Sequence, residues 1–293
     1  MYRRSRRNKD IRKTITYCFL LFSFLGILFT EGRVLKVKFA NSKLAKNINN
    51  IQKTNDNTVS ENKKLLSNVK KEQDNYKNKL KNRKVAYLTF DDGPSNHTEK
   101  ILNILDENNV HATFFVNGKP ELTKEYKAIV KQGSILANHT YSHDYKTVYS
   151  SPENFKKDIE KLDKFLENLT GEKPSHVIRY PGGSNNTISH SYGGPDIMKR
   201  VLPYMKKAGY KHFDWTVDSR DAEKFRQATD VIINSVLTQS KSTKNAVILM
   251  HDLNPKTTTV EALPTVIKGL KEQGFTFDVL TKDSPDASFV KMN

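Results

Sequence analysis

The chain has 293 residues, 36% of them hydrophobic, a single cysteine and a formal net charge of +17. That length holds one large domain or two small ones, the apolar content excludes a fully disordered chain, and a lone cysteine excludes an intramolecular disulfide framework or a cysteine-clustered zinc site. The charge would point to nucleic acid, anionic lipid or an acidic polymer, but residues 1–84 hold 22 Lys and Arg against 6 Asp and Glu, whereas residues 85–293 hold 27 against 26. The part with a folding pattern is nearly neutral, which argues against a nucleic-acid partner.

Residues 1–14 are a basic tail, with Arg3, Arg4, Arg6, Arg7, Lys9, Arg12 and Lys13. An apolar run from Ile15 to Phe29 follows, and residues 15–30 read as a transmembrane signal anchor. No A-x-A-like cleavage site comes after it, so an uncleaved anchor is preferred to secretion after signal cleavage. The basic flank places the N-terminus in the cytoplasm and the rest outside the cell. Residues 31–84 are rich in Lys and Asn and read as a solvated basic stalk. Leu66, Val69, Gln73, Tyr76 and Leu80, spaced 3, 4, 3 and 4, are compatible with a short helix there, too polar for a coiled coil.

From residue 85 the pattern alternates. Strands are predicted at 85–90, 111–116, 134–137, 176–180, 211–217, 246–250 and 275–280, and helices at 98–108, 121–132, 152–169, 196–208, 228–238 and 260–273. The clearest helix carries Phe155, Ile159, Leu162, Leu166 and Leu169 on one face, Ser151 as N-cap, Pro152 at its first position and Gly171 just past its end. Such alternation indicates an α/β fold with a largely parallel sheet, and a barrel-like closure is preferred to an open doubly wound sheet. No Gly-x-Gly-x-x-Gly turn follows the first strand, so a dinucleotide site lacks support.

In parallel α/β folds the working residues sit at the carboxyl ends of strands. Here those ends carry Asp91-Asp92-Gly93-Pro94, then His139 to Asp144, then Arg179 to Ser184, then Asp214-Trp215 with Asp218 and Asp221, and finally His251-Asp252. His139 and His143 are spaced to reach one metal, and two histidines with one carboxylate form a metal site that keeps open positions. Adjacent carboxylates on an extended strand point to opposite sides, so one of Asp91 and Asp92 can bind metal while the other acts as a base. His251 is a candidate acid, because its intrinsic pKa lies near neutrality. The backbone N–H groups of Gly182-Gly183 can meet a developing oxyanion.

Taken in order, Thr89-Phe90-Asp91-Asp92-Gly93-Pro94-Ser95, His139-Thr140-Tyr141-Ser142-His143, Arg179-Tyr180-Pro181-Gly182-Gly183-Ser184, Asp218-Ser219-Arg220-Asp221 and Leu249-Met250-His251-Asp252 resemble the motifs of polysaccharide deacetylases, the NodB-homology proteins or family 4 carbohydrate esterases. The resemblance spans about residues 85–280 and implies a distorted (β/α) barrel over a catalytic domain at 85–293. It further implies that Asp92, His139 and His143 bind a divalent metal, usually zinc, with Co2+, Mn2+ or Ni2+ as alternatives. Asp91 would be the general base, held by Arg179. His251 would protonate the leaving amine, supported by Asp221. Tyr180, Pro181, Gly182 and Leu249 would contact substrate, with the Gly182 N–H on the oxyanion and Leu249 lining the acetyl pocket.

Two positions depart from many members of that family. Gly182 stands where a bulky aromatic is common, and Ala222 where Trp is common. Trp215 is either a replacement wall or a core residue. With the anchor, the resemblance implies a monomeric N-deacetylase acting on N-acetylglucosamine of peptidoglycan. N-acetylmuramic acid, chitin oligomers, xylan or an exopolysaccharide are alternative substrates. A non-catalytic glycan-binding protein is the competing class, disfavoured because every base, ligand and acid position is filled.

Overall fold

A computed structural model describes residues 34–291, the side chains of 34–42 and 74–82 excepted. The predicted anchor at 15–30 lies outside the described residues, and no helix among those described is long and apolar enough to cross a membrane. The chain divides into two units near residue 77. In the first, residues expected to be mostly linker form one helix, α1 (Val34–Asn82). Its side chains at 43–73 are almost all exposed, Leu65 and Leu66 included.

The second unit begins with β1 (Lys84–Asp91), α2 (Thr98–Glu107), β2 (Thr113–Val116), a 3-10 turn (Pro120–Leu122), α3 (Thr123–Gln132) and β3 (Ile135–Asn138). It continues through α4 (Tyr145–Val148), α5 (Pro152–Thr170), β4 (Val177–Ile178), α6 (His190–Gly193), α7 (Ile197–Lys207) and β5 (Lys211–His212). The last elements are β6 (Val217–Asp218), α8 (Thr229–Ser240), β7 (Asn245–His251), α9 (Thr257–Glu272) and β8 (Phe275–Phe277). The α5 boundaries follow the sequence signals: Ser151 Oγ accepts from the Asn154 N–H at 3.1 Å, and Gly171 ends the helix at φ 74°.

Every strand pairing is parallel, in the order β5-β4-β3-β2-β1-β7-β6, with β8 against the first half of β1. Alternation along the strands sorts two layers. Ala86, Leu88 and Phe90 of β1, with Ala246, Ile248 and Met250 of β7, pack beneath α2, α8 and α9. Tyr87, Phe115, Ala137, Val177, Phe213 and Val247 fill the concave side. Both faces are covered, so β1 is buried continuously from Ala86 to Asp91.

The predicted strand at 211–217 is a correction. It is two short strands at opposite edges of the sheet, joined only by residues 213–216. In a flat sheet, six spacings of about 4.8 Å would put those edges about 29 Å apart, whereas the connection reaches about 18 Å. The sheet must therefore curl. Curling stops short of closure, because no ladder joins β5 to β6 among the described residues. The distorted barrel expected from the sequence is thus a half-barrel of parallel strands, and the carboxyl ends of β1, β3, β4, β6 and β7 meet at one end.

Candidate active site

The concave row of β1 reads Tyr87, Thr89, Asp91, and that of β7 reads Val247, Leu249, His251. Asp91 and His251 are register partners, so they stand on adjacent strands at the rim. Asp92 is the first residue past the strand and takes a left-handed φ of 66°. That turn gives the two carboxylates different directions. Lys119 Nζ ties the loop down by donating to the carbonyls of Asp92 (2.6 Å) and Pro94 (2.8 Å).

Asp92 Oδ1 lies 3.2 Å from His143 Nε2 and 3.6 Å from His139 Nε2. The His139 Nδ1–H donates to the Arg179 carbonyl at 2.8 Å, which leaves the Nε2 lone pair facing the carboxylate. His139 and His143 leave β3 on a loop with left-handed residues at Thr140 (φ 70°) and His143 (φ 50°). The Asn117 side chain braces it on the carbonyls of His139 and Thr140, and Asp158 accepts from the Ser142 N–H. Burial favours the neutral His139 imidazole and outweighs the nearby carboxylates, so its pKa is lowered. Burial would raise the Asp92 pKa, but the His139 and His143 rings pull it below the usual carboxylate range.

The three side chains fit a metal ion. Their ligand atoms lie within 4.8 Å of one another. Asp92 Oδ1 is buried and has no hydrogen-bond partner among the described residues, an arrangement that is costly unless a cation completes it. One carboxylate oxygen and two imidazoles suit zinc and its transition-metal neighbours.

Around this cluster stand the other candidates. Asp91, 3% exposed, accepts from Arg179 Nη1 at 2.7 Å on Oδ1, while its Oδ2 faces His139 Nε2 at 3.8 Å. Arg179 is fully buried, with three further donors on Thr89 Oγ1 and on the carbonyls of Phe213 and Asp214. It stitches β1 to the crossing segment that spans the open side of the half-barrel. His251 Nδ1–H donates to Asp221 Oδ1 at 2.7 Å, and Asp221 Oδ2 accepts from the His251 N–H and Thr259 Oγ1. Burial opposes charge on His251, but Asp221, Asp91 and Asp92 overcome it and push its pKa up to about 9. Gly182, at φ 78°, is exposed, and its N–H makes no hydrogen bond among the described residues.

Not every expected contact residue faces the cluster. The Tyr180 side chain is 1% exposed, with its ring against Phe155 and His212, away from the cluster. Alternation explains this, since Arg179 takes the concave side and its neighbour must take the other. Pro181 is buried and accepts from the Tyr149 hydroxyl at 2.7 Å. Leu249 is buried on the concave row two residues before His251. Trp215 is partly buried, edge-on to Phe289 at 4.8 Å between ring centroids, and both rings flank Gly183.

Three supporting residues were given no role from the sequence, although Asp214 and Asp252 stand among its strand-end residues. Asp252 accepts from Ser95 Oγ and Thr98 Oγ1, both at 2.5 Å, and burial raises its pKa. Asp214 holds the Ser184 N–H and hydroxyl and the Phe289 N–H. Lys256 is buried with Nζ on the carbonyls of Asp221 and Lys224. Each joins segments distant in sequence, so no local spacing marks this bracing role.

The family model described as polysaccharide deacetylase matches residues 78–213. A peptidoglycan-N-acetylglucosamine deacetylase of Bacillus cereus is 33% identical over 212 residues, which cover 70% of this chain and 72% of that one. The chain belongs to the polysaccharide deacetylase family. Solved structures of that family agree. The catalytic domain of peptidoglycan N-acetylglucosamine deacetylase from Eubacterium rectale superposes with a TM-score of 0.67 at 36% identity, covering 72% of this chain and 94% of that one. A polysaccharide deacetylase from Bacillus cereus gives 0.59 at 29% identity, over 70% and 97%. This polysaccharide deacetylase therefore carries its cluster of one aspartate and two histidines at the mouth of the family's parallel half-barrel.

Proposed function

We propose that the protein removes N-acetyl groups from N-acetylglucosamine of peptidoglycan, using a divalent cation, zinc by preference, held by Asp92, His139 and His143. The observation that carries this reading is the placement of a carboxylate, Asp91, and an imidazole, His251, on neighbouring strands beside a three-ligand cluster. The substrate is read from relatives whose names specify it. A bound cation would polarise the acetyl carbonyl and acidify a water beside it. Asp91 Oδ2 takes the proton of the attacking water, while Arg179 fixes the other oxygen. The Gly182 N–H receives the carbonyl oxygen as it gains charge. His251, protonated on Nε2 and steadied by Asp221, gives its proton to the sugar nitrogen as the C–N bond breaks. Acetate and a free amino sugar leave.

We also propose that residues 15–30 anchor the chain, with residues 31–84 as a basic stalk and the deacetylase unit outside the cell, within reach of the wall. Purified wall incubated with the metal-loaded protein tests the substrate. Mass spectrometry should show acetyl loss on N-acetylglucosamine that a chelator abolishes. Loss on N-acetylmuramic acid, or activity confined to xylan or chitin, would overturn it.

A further inference from the structure

Gly182 is exposed and its N–H makes no hydrogen bond among the described residues, but the space on its side-chain side is taken. A Cβ there would lie 2.6 Å from the Tyr145 hydroxyl and 3.2 Å from Asn186 Cβ. Tyr145 comes from another segment, the first residue of α4, two residues after His143. Its ring stands edge-on to His143 at 5.9 Å and continues through Tyr149 at 5.3 Å and Tyr192 at 6.5 Å. The Tyr149 hydroxyl donates to the Pro181 carbonyl, which ties α4 to the Gly182 turn and fixes the Tyr145 ring against it.

The hydroxyl is what needs explaining. Tyr149 and Tyr210 place theirs on Pro181 and Asp163, and Tyr126 bonds the Asn117 carbonyl. Tyr145 is half-buried, but its hydroxyl reaches solvent and has no hydrogen-bond partner among the described residues. Phenylalanine would pack equally well if the ring were only a wall. The Tyr145 hydroxyl is accessible, uncommitted to the protein and set against Gly182, with its ring against His143, so it is placed to meet a ligand group at the site.

We propose that Tyr145 is a substrate-binding residue: its ring forms the pocket wall that residue 182 leaves open, and its hydroxyl donates a hydrogen bond to the sugar that carries the acetamide. Tyr192, 45% exposed, extends the wall outward. The assignment rests on the deacetylase reading above and adds its sugar contact.

The test compares wild type with Tyr145→Phe on N-acetylglucosamine oligomers and on 4-nitrophenyl acetate, which has an acetyl group but no sugar. One neutral hydrogen bond predicts a KM for the oligomer raised about five- to tenfold with kcat little changed. Ester cleavage, metal content and melting temperature should stay as in wild type. An equal loss on both substrates, or no loss on either, overturns the proposal. If wild type ignores N-acetylated oligomers and deacetylates O-acetyl xylan, the substrate proposed above is wrong, and the same comparison on xylan decides Tyr145.

Discussion

Asp91 and Asp92 are adjacent, yet the backbone gives them different tasks. Asp91 completes the concave row of β1 and meets Arg179, while Asp92 turns at positive φ towards the two histidines. Asp91→Asn should lower kcat by about 10²- to 10⁴-fold with metal content unchanged by elemental analysis. His139→Ala should instead lose the metal itself. The His251 pKa, pushed up to about 9, sets a pH dependence with a defined sign. Its raised value stabilises the metal-free fold fully below about pH 6.5, and that contribution is lost as pH rises through about 9. Asp221→Asn removes the main support, so an NMR titration of metal-free protein should show His251 deprotonating at lower pH. The alkaline limb of the pH–rate profile should move down with it.

At the scale of elements, the site is held by contacts between loops that follow different strands. Asp252, after β7, accepts two hydroxyls from the loop that follows β1. Asp252→Ala would leave the Ser95 and Thr98 hydroxyl protons without their acceptor, at a cost of about 1–3 kcal/mol, readable as a lower chemical-denaturation midpoint with unchanged slope. The turn at Gly182 and helix α4 form a second such pair. Gly182→Ala would meet the Tyr145 hydroxyl, so its effect on KM should be smaller in a Tyr145→Phe background, a coupling that a double-mutant cycle measures. Most elements were legible in the sequence within a few residues because strands buried on both faces and amphipathic helices leave strong periodic signals. The split of 211–217 was not. Phe213 and Trp215 read as strand residues, but Phe213 bonds the β4 side and Thr216 the β7 side, so the segment crosses between edges.

For the whole molecule, charge separates two tasks. The excess lies in residues 1–84, and the deacetylase unit is nearly balanced. A form of residues 31–293, without the proposed anchor, should therefore bind anionic vesicles in a way that salt weakens, whereas a form starting at residue 84 should bind little at any salt, as co-sedimentation would show. The described helix α1 has 49 residues, a length of about 74 Å, where the sequence suggested mostly linker. Its polar residues conceal helical propensity, because periodicity reports a buried face and α1 shows almost none among its described side chains.

The sequence by itself determined the fold class, the order of the motifs, the family resemblance and the Asp-His-His set, because a parallel α/β chain writes its working residues directly after its strands. Tertiary structure decided how those residues are used. It brought Asp92 Oδ1 within 3.6 Å of both histidines while Asp91 meets Arg179, buried Tyr180, bent the sheet until β5 and β6 came within a four-residue reach, and set the Tyr145 hydroxyl against Gly182. Each of these depends on backbone direction or on contacts between segments far apart in the chain, and neither leaves a local pattern in sequence.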